Sequence, residues 1–199
     1  MKIHSESLTR SEAYKLLTGV VVPRPIAWIS TISKQGRSNV APFSCFTFVS
    51  DDPPMIGFNC GLRDGQRKHT AANILKTGEF VVNIVDEPLL DPMHRSAIDY
   101  PDGIDEIELL NLPSVGSDLI APRRIASSPI SMECVMDRAV IFGRSGAEFI
   151  VGEIKLFHVR DDLFKNGKID SEQLRPLARL AGSVYGTLGD IIRIDRLEV

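Results

Sequence analysis

Cysteine is scarce in this chain and shows no pattern: Cys45, Cys60 and Cys134 are odd in number, widely spaced and include no Cys-x-x-Cys. Neither a disulfide framework nor a zinc site is indicated. His4, His69, His94 and His158 are equally scattered, and no pair stands at metal-ligand spacing. No apolar run approaches the roughly 18 residues of a membrane span. The opening MKIHSESLTRSEAYKLL mixes charges where a leader would run from basic to apolar. A cytoplasmic protein is the expectation. Excess charge is also missing: a formal net charge of −3 gives no whole-chain attraction to nucleic acid or an anionic membrane. A local basic patch can still serve a small anion. There is no G-x-x-x-x-G-K-[ST], no G-x-S-x-G, no H-E-x-x-H and no G-x-G-x-x-G after a strand. A nucleotide triphosphatase, a serine hydrolase, a zinc protease and a Rossmann dehydrogenase therefore lack their usual signatures.

What is present is ordinary globular material, 43% hydrophobic and 25% charged, over 199 residues that read as one domain, 1–199, without repeats or linkers. The chain is organised around residues 23–54. Ile26, Trp28 and Ile32 alternate with Ala27, Ile29 and Thr31, so both faces of this strand are apolar and it should be buried on both sides. Lys34-Gln35-Gly36-Arg37 turns it into a return strand, Ser38 to Phe43. Pro42 cannot donate to a ladder and marks an edge, a bulge or the strand's end. Ser44-Cys45-Phe46-Thr47 follows as a loop with backbone groups open to a planar heterocycle.

Elsewhere, Thr9 and Glu12 have capping-box spacing ahead of a short helix, Ser11 to Leu17, ended by Gly19. Met55 to Cys60 and Phe80 to Val85 read as strands. A helix after Arg67-Lys68-His69-Thr70 stops at Gly78. Pro88 to Ser96 and Asp105 to Leu110 read as short helices, with Asp105, Glu106 and Glu108 as a solvated acidic face. Ile130 to Ile141 and Phe149 to Val159 are long strands joined across Gly143-Arg144-Ser145-Gly146. Asn166-Gly167 signals a tight turn, Ser171 to Leu174 a short helix, and Ile191 to Leu197 a closing strand. Many short strands with few helices suggest a mainly β fold, a closed or partly closed barrel with peripheral helices.

The clearest chemical signal is Arg67-Lys68-His69-Thr70 at a helix start, where two fixed positive charges, a hydroxyl and free N–H groups would stabilise a phosphate. An exposed first turn with Thr70 as N-cap is the alternative reading. Trp28, the single tryptophan, is either a core aromatic or a ring beside a ligand, and Phe46 has the same two readings. Cys45 reads better as a small buried residue than as a reactive thiol. Asp51 and Asp52 beside Pro53 and Pro54 read as turn residues. A phosphate site without phosphoryl- or acyl-transfer apparatus points to a phosphorylated cofactor that performs the reaction itself.

The blocks PRPIAWISTISKQGRSNVAPFSCFTFVSDDPPMIGF, RKHTAANILKTGEFVVNIV, DGIDEIELLNL, PRRIASSPISMEC and PLARLAGSVYGTL, in this order over most of the chain, resemble the flavin reductase-like family of FMN-binding split β-barrels. The resemblance implies a six-stranded Greek-key split barrel, a homodimer, and FMN near the subunit interface, with FAD the less expected flavin. It implies Ser44, Cys45, Phe46 and Thr47 along the isoalloxazine, Trp28 nearby, and Arg67, Lys68 and Thr70 at the phosphate. His69 stands where many relatives have Asp, and Thr47 where many have Asn. The implied activity is an FMN-dependent oxidoreductase in which NAD(P)H is the transient co-substrate and free flavin, oxygen or a protein partner takes the electrons. A flavoredoxin-like electron carrier and a flavin-binding module without turnover are the alternatives. No protein nucleophile, acid or base is required, so no catalytic residue is assigned.

Overall fold

The computed structural model describes residues 1–195. Seven strands form its main sheet: β1 Ala27–Ile32, β2 Ser38–Phe43, β3 Phe46–Asp51, β4 Pro54–Cys60, β5 Glu79–Ile84, β6 Ile130–Phe142 and β7 Ala147–Val159. Their spatial order is β2-β1-β5-β6-β7-β4-β3, and every neighbouring pair is antiparallel. The two outer strands, β2 and β3, are consecutive in the chain, with only Ser44 and Cys45 between them. The sheet curls until Phe43, ending β2, packs on Phe58 of β4 with ring centroids 4.9 Å apart. No ladder joins the two edges among the described residues, so the barrel is split and Ser44–Cys45 is the stretch that crosses the split.

This is the mainly β split barrel with peripheral helices that the sequence suggests, with seven strands in the sheet rather than six. The extra strand lies where a loop was expected. Phe46 pairs with Phe58 and Thr47 with Gly57, and the Cys45 carbonyl accepts from the Asn59 N–H at 2.8 Å. Of the four residues expected to carry open backbone, only Ser44 and Cys45 lie outside the strands, and the Cys45 carbonyl is already paired.

Burial of β1 on both faces has a plain cause. Ala27 and Ile29 point into the barrel against Phe58, Phe80, Val82 and Ile150. Ile26, just before the strand, and Trp28 point outward against Val85, Met93, Ile107 and Ile125. Each large apolar side chain so buried contributes roughly 1.5 to 3 kcal/mol. Pro42 sits on the edge strand β2, where a missing donor costs no ladder bond within the sheet.

Among the described residues, five α-helices surround the sheet: α1 Arg10–Val20, α2 His69–Thr77, α3 Leu90–Arg95, α4 Glu106–Leu109 and α5 Ser171–Leu174. Both halves of the Thr9–Glu12 capping box form. Helix α1 continues through Gly19 to Val20, because Arg24 takes the carbonyls of Thr18 and Val21 at 2.8 Å each and so satisfies the end that glycine was expected to close. Gly78, at φ 76°, ends α2 as expected. Asn166 and Gly167, at φ 52° and 77°, make the tight turn between Phe164–Lys165 and Lys168–Ile169. Residues 191–195 form no strand, and the rest of the expected closing strand lies outside the described residues. No described helix is long and apolar enough to cross a membrane.

The acidic run before and within α4 is not a solvated face. The Asp105 carboxylate accepts from the Ser38 N–H at 2.7 Å and Glu106 from the Val40 N–H at 2.8 Å. These are the outward donors of edge strand β2, which a sheet edge must otherwise leave unpaired. Glu106 is consequently buried, 5% exposed.

Candidate functional site

A cleft of about 670 Å³ opens beside the crossing at Ser44, a volume in the range of small-molecule and cofactor sites. One wall is the end of β2, Asn39 and Ala41 to Phe43, running into Ser44. Another is the start of α2. Leu62–Arg63 and Gln66–Arg67 pair as a short ribbon around Asp64 and Gly65, both at positive φ, and this turn delivers Arg67 to Thr70 to the cleft. The loop after α3 and a ribbon of Arg24–Pro25, Ala178–Arg179 and Tyr185–Gly186 complete it.

The basic side chains of the cleft differ sharply in what they meet. Arg67 donates from both Nε and Nη2 to Oε1 of Glu148 at 2.8 Å, and Glu148 is 3% exposed. His69 Nε2 lies 2.6 Å from Asp102, and Arg63 pairs with Asp99 at 2.9 Å. Lys68, Arg24 and Arg179 have no carboxylate partner among the described residues. Lys68 sits at the N-cap of α2 without capping it, its Nζ 6.0 Å from the Phe43 ring centroid. The Lys68 side chain does not cap that first turn, so the N–H groups at its very start can meet water or an anion.

Thr70 is not the N-cap. It lies two residues past the N-cap Lys68, buried, with its hydroxyl on Asn39 at 3.0 Å. Asn39 in its better amide orientation also links to Glu106. Glu106 faces the cleft from beneath, and burial pushes its carboxyl up to about 7 against the opposing Val40 N–H and His69.

The structure gathers Ser44, Arg67, Lys68, His69 and Thr70 on the cleft wall, and leaves Cys45, Phe46, Thr47 and Trp28 off it. Cys45 and Thr47 are exposed, and Phe46 packs against the barrel core. Trp28 is fully buried and donates its indole N–H to Ser96 Oγ at 2.8 Å. Ser96 lines the cleft, so Trp28 stands one residue behind the wall as its support. Sequence reading missed Asn39, Glu106, Arg24, Arg179 and Tyr185. Asn39 and Arg24 lie within the organising stretch, but nothing local marks them; the others reach the cleft from distant segments.

A second cluster lies apart from the cleft. Asp118, Glu133 and His158 bring ligand-type atoms within 4.8 Å of one another. Burial works against the Glu133 charge, yet the N–H groups of Asp118 and Leu119, each at 2.8 Å, and His158 at 2.6 Å hold its carboxyl below the ordinary range. Both Glu133 oxygens are thereby occupied, and the group pins the 118–119 loop to β6.

A sequence profile described as "Flavin reductase like domain" matches residues 19–184. The chain belongs to the flavin reductase-like family. An uncharacterized protein of Halalkalibacterium halodurans is 41% identical, with 98% of this chain and 96% of that one covered. The crystal structure of nitrilotriacetate monooxygenase component B from Bacillus cereus superposes with a TM-score of 0.94 at 35% identity, covering 98% of each chain. That of Pseudomonas fluorescens 2-nitrobenzoate 2-nitroreductase gives 0.84 at 32% identity, with 98% and 96% covered. The flavin reductase-like fold therefore spans the chain almost end to end.

Proposed function

We propose that the cleft holds FMN and that the protein is an oxidoreductase that takes electrons from NAD(P)H. The observation that carries this reading is Lys68: a cation without an ionic partner among the described residues, at the N-cap of α2 but not capping it, on the wall of a cofactor-sized cleft. Lys68 and the first N–H groups of α2 would hold the phosphate, and the end of β2 with Ser44 would lie along the ring. Bound there, FMN supplies hydride and single-electron chemistry that no side chain of this chain could perform. The protein's part is position and field: Phe43 and Ser44 fix the crossing, Asn39 and Thr70 fix α2 against β2, and Trp28 steadies Ser96.

A homodimer belongs to the same proposal. Edge strand β3 exposes Phe48 at 79%, and the tip of the β6–β7 hairpin exposes Ile141 and Phe142. An uncovered edge with apolar side chains is a surface that a second copy would cover. Light scattering on the flavin-loaded protein should give twice the chain mass.

Anaerobic mixing with NADH and with NADPH, followed by flavin absorbance, tests the activity. Rapid bleaching by either one is expected. A flavin that dithionite reduces but neither nicotinamide touches contradicts it and makes the protein an electron carrier.

A further inference from the structure

Of the three cleft cations that have no carboxylate partner among the described residues, two come from the ribbon and not from α2. Arg24 and Arg179 are direct cross-strand partners, and like charges set opposite one another are unfavourable unless a counter-charge meets them. Arg24 is 6% exposed. Its guanidinium donates to the carbonyls of Thr18, Val21 and Leu180 at 2.8, 2.8 and 2.9 Å and to Ser44 Oγ at 3.3 Å. Those contacts use four of the five N–H groups an arginine carries. The charge is anchored and oriented, but no carboxylate among the described residues neutralises it.

Arg179 is held from one side only. Nε donates to the Gly182 carbonyl at 2.7 Å, Nη1 donates to Tyr185 Oη at 2.5 Å, and the guanidinium lies 4.6 Å from the Tyr185 ring centroid. Tyr185 Oη in turn is 2.8 Å from His94 Nδ1. Three N–H groups of Arg179, one on Nη1 and two on Nη2, have no partner among the described residues and are donors of the kind that receive a carboxylate or phosphate. Arg24, Arg179 and Tyr185 all line the cleft, and Ser44 joins this group to Phe43, the neighbour of Lys68.

We propose that Arg24 and Arg179 form a second anion subsite of the cleft, which takes the carboxylate or phosphate of the molecule that exchanges electrons with the bound flavin. The role of that ligand rests on the flavin reading; the subsite rests on the paired cations. Arg179 makes the contact, and Arg24 sets the field and holds Ser44. A nicotinamide dinucleotide would present a phosphate here, and an organic acid would present a carboxylate.

The test is calorimetric titration of the FMN-saturated protein with NAD⁺, NADP⁺ and benzoate, with benzamide as the uncharged control, in wild type, Arg179→Gln and Arg179→Lys. At least one anionic probe should bind the wild type, and Arg179→Gln should weaken that probe by roughly tenfold or more, as expected for a lost charged hydrogen bond. Arg179→Lys should recover part of the loss, FMN affinity should stay within about twofold, and benzamide should not distinguish the variants. Response to the nicotinamides alone identifies a phosphate source, and response to benzoate alone a carboxylate. No anionic binding, anionic binding indifferent to Arg179→Gln, or FMN affinity falling in step with it overturns the subsite. Failure of the wild type to bind FMN overturns the flavin reading instead, and the same anion titrations on flavin-free protein then decide the subsite.

Discussion

Arg67 places two N–H groups on one oxygen of Glu148, a carboxylate buried beneath the cleft, while Lys68, its neighbour in the chain, meets no carboxylate among the described residues. Adjacent cations thus have separate tasks. Arg67 neutralises a buried charge and fixes the ribbon that leads into α2, whereas Lys68 lines the cleft and is the cation to which the proposal assigns the phosphate.

Arg67→Ala should therefore destabilise the fold and Lys68→Ala should not. Removing one partner of a buried pair leaves an uncompensated charge. Because Arg67 is half exposed, the loss is discounted to about 1 to 2 kcal/mol. Lys68→Ala should stay within about 0.5 kcal/mol of wild type. Urea unfolding monitored by circular dichroism measures both. Equal stability of wild type and Arg67→Ala contradicts the division of labour.

Glu106 gives a pH dependence whose sign follows from its burial. Its carboxyl rises from an ordinary 4.5 to about 7 in the folded protein, so the folded state binds the proton more tightly than the unfolded chain. Its contribution to stability is full below about pH 4.5 and is lost as pH climbs through about 7. Glu106→Gln keeps an acceptor for the Val40 N–H and removes the titration. Between about pH 5 and about pH 8, wild type should lose about 1 to 3 kcal/mol relative to Glu106→Gln. A stability difference that does not change over that window contradicts the assignment.

At the crossing between the edge strands, Ser44 faces the cleft and Cys45 does not. Ser44→Ala should weaken FMN by up to about 1 kcal/mol, the scale of one neutral hydrogen bond, and Cys45→Ala should leave affinity unchanged. Flavin fluorescence quenching reads both. Loss of flavin reduction in Cys45→Ala with binding intact would make the thiol part of the chemistry.

Legibility in the sequence followed the range of the interactions. The apolar alternation of Ala27 to Ile32, the Thr9–Glu12 box, Gly78 and Asn166-Gly167 are local devices, and each forms as its pattern suggests. The basic start of α2 was legible for the same reason. Glu106 looked like part of a solvated face because its partner, the Val40 N–H, lies on a strand far away in the chain. Trp28 was ambiguous because β1 is apolar on both sides, and only the Ser96 contact places its ring behind the wall. Arg24 and Arg179 become neighbours through a two-residue ribbon too short to leave a periodic signal. The seventh strand is not legible because Ser44 to Thr47 mixes small and polar residues with one aromatic, and pairing with Phe58 and Gly57 overrides that composition.

The most direct measurement compares FMN with riboflavin on wild type and Lys68→Ala, because the two flavins share the ring and only FMN carries the phosphate. Lys68→Ala should weaken FMN by roughly 1.5 to 3 kcal/mol, the value of a charge-assisted hydrogen bond, and leave riboflavin nearly untouched. Equal weakening of both flavins, or no effect on either, contradicts a flavin phosphate at the start of α2.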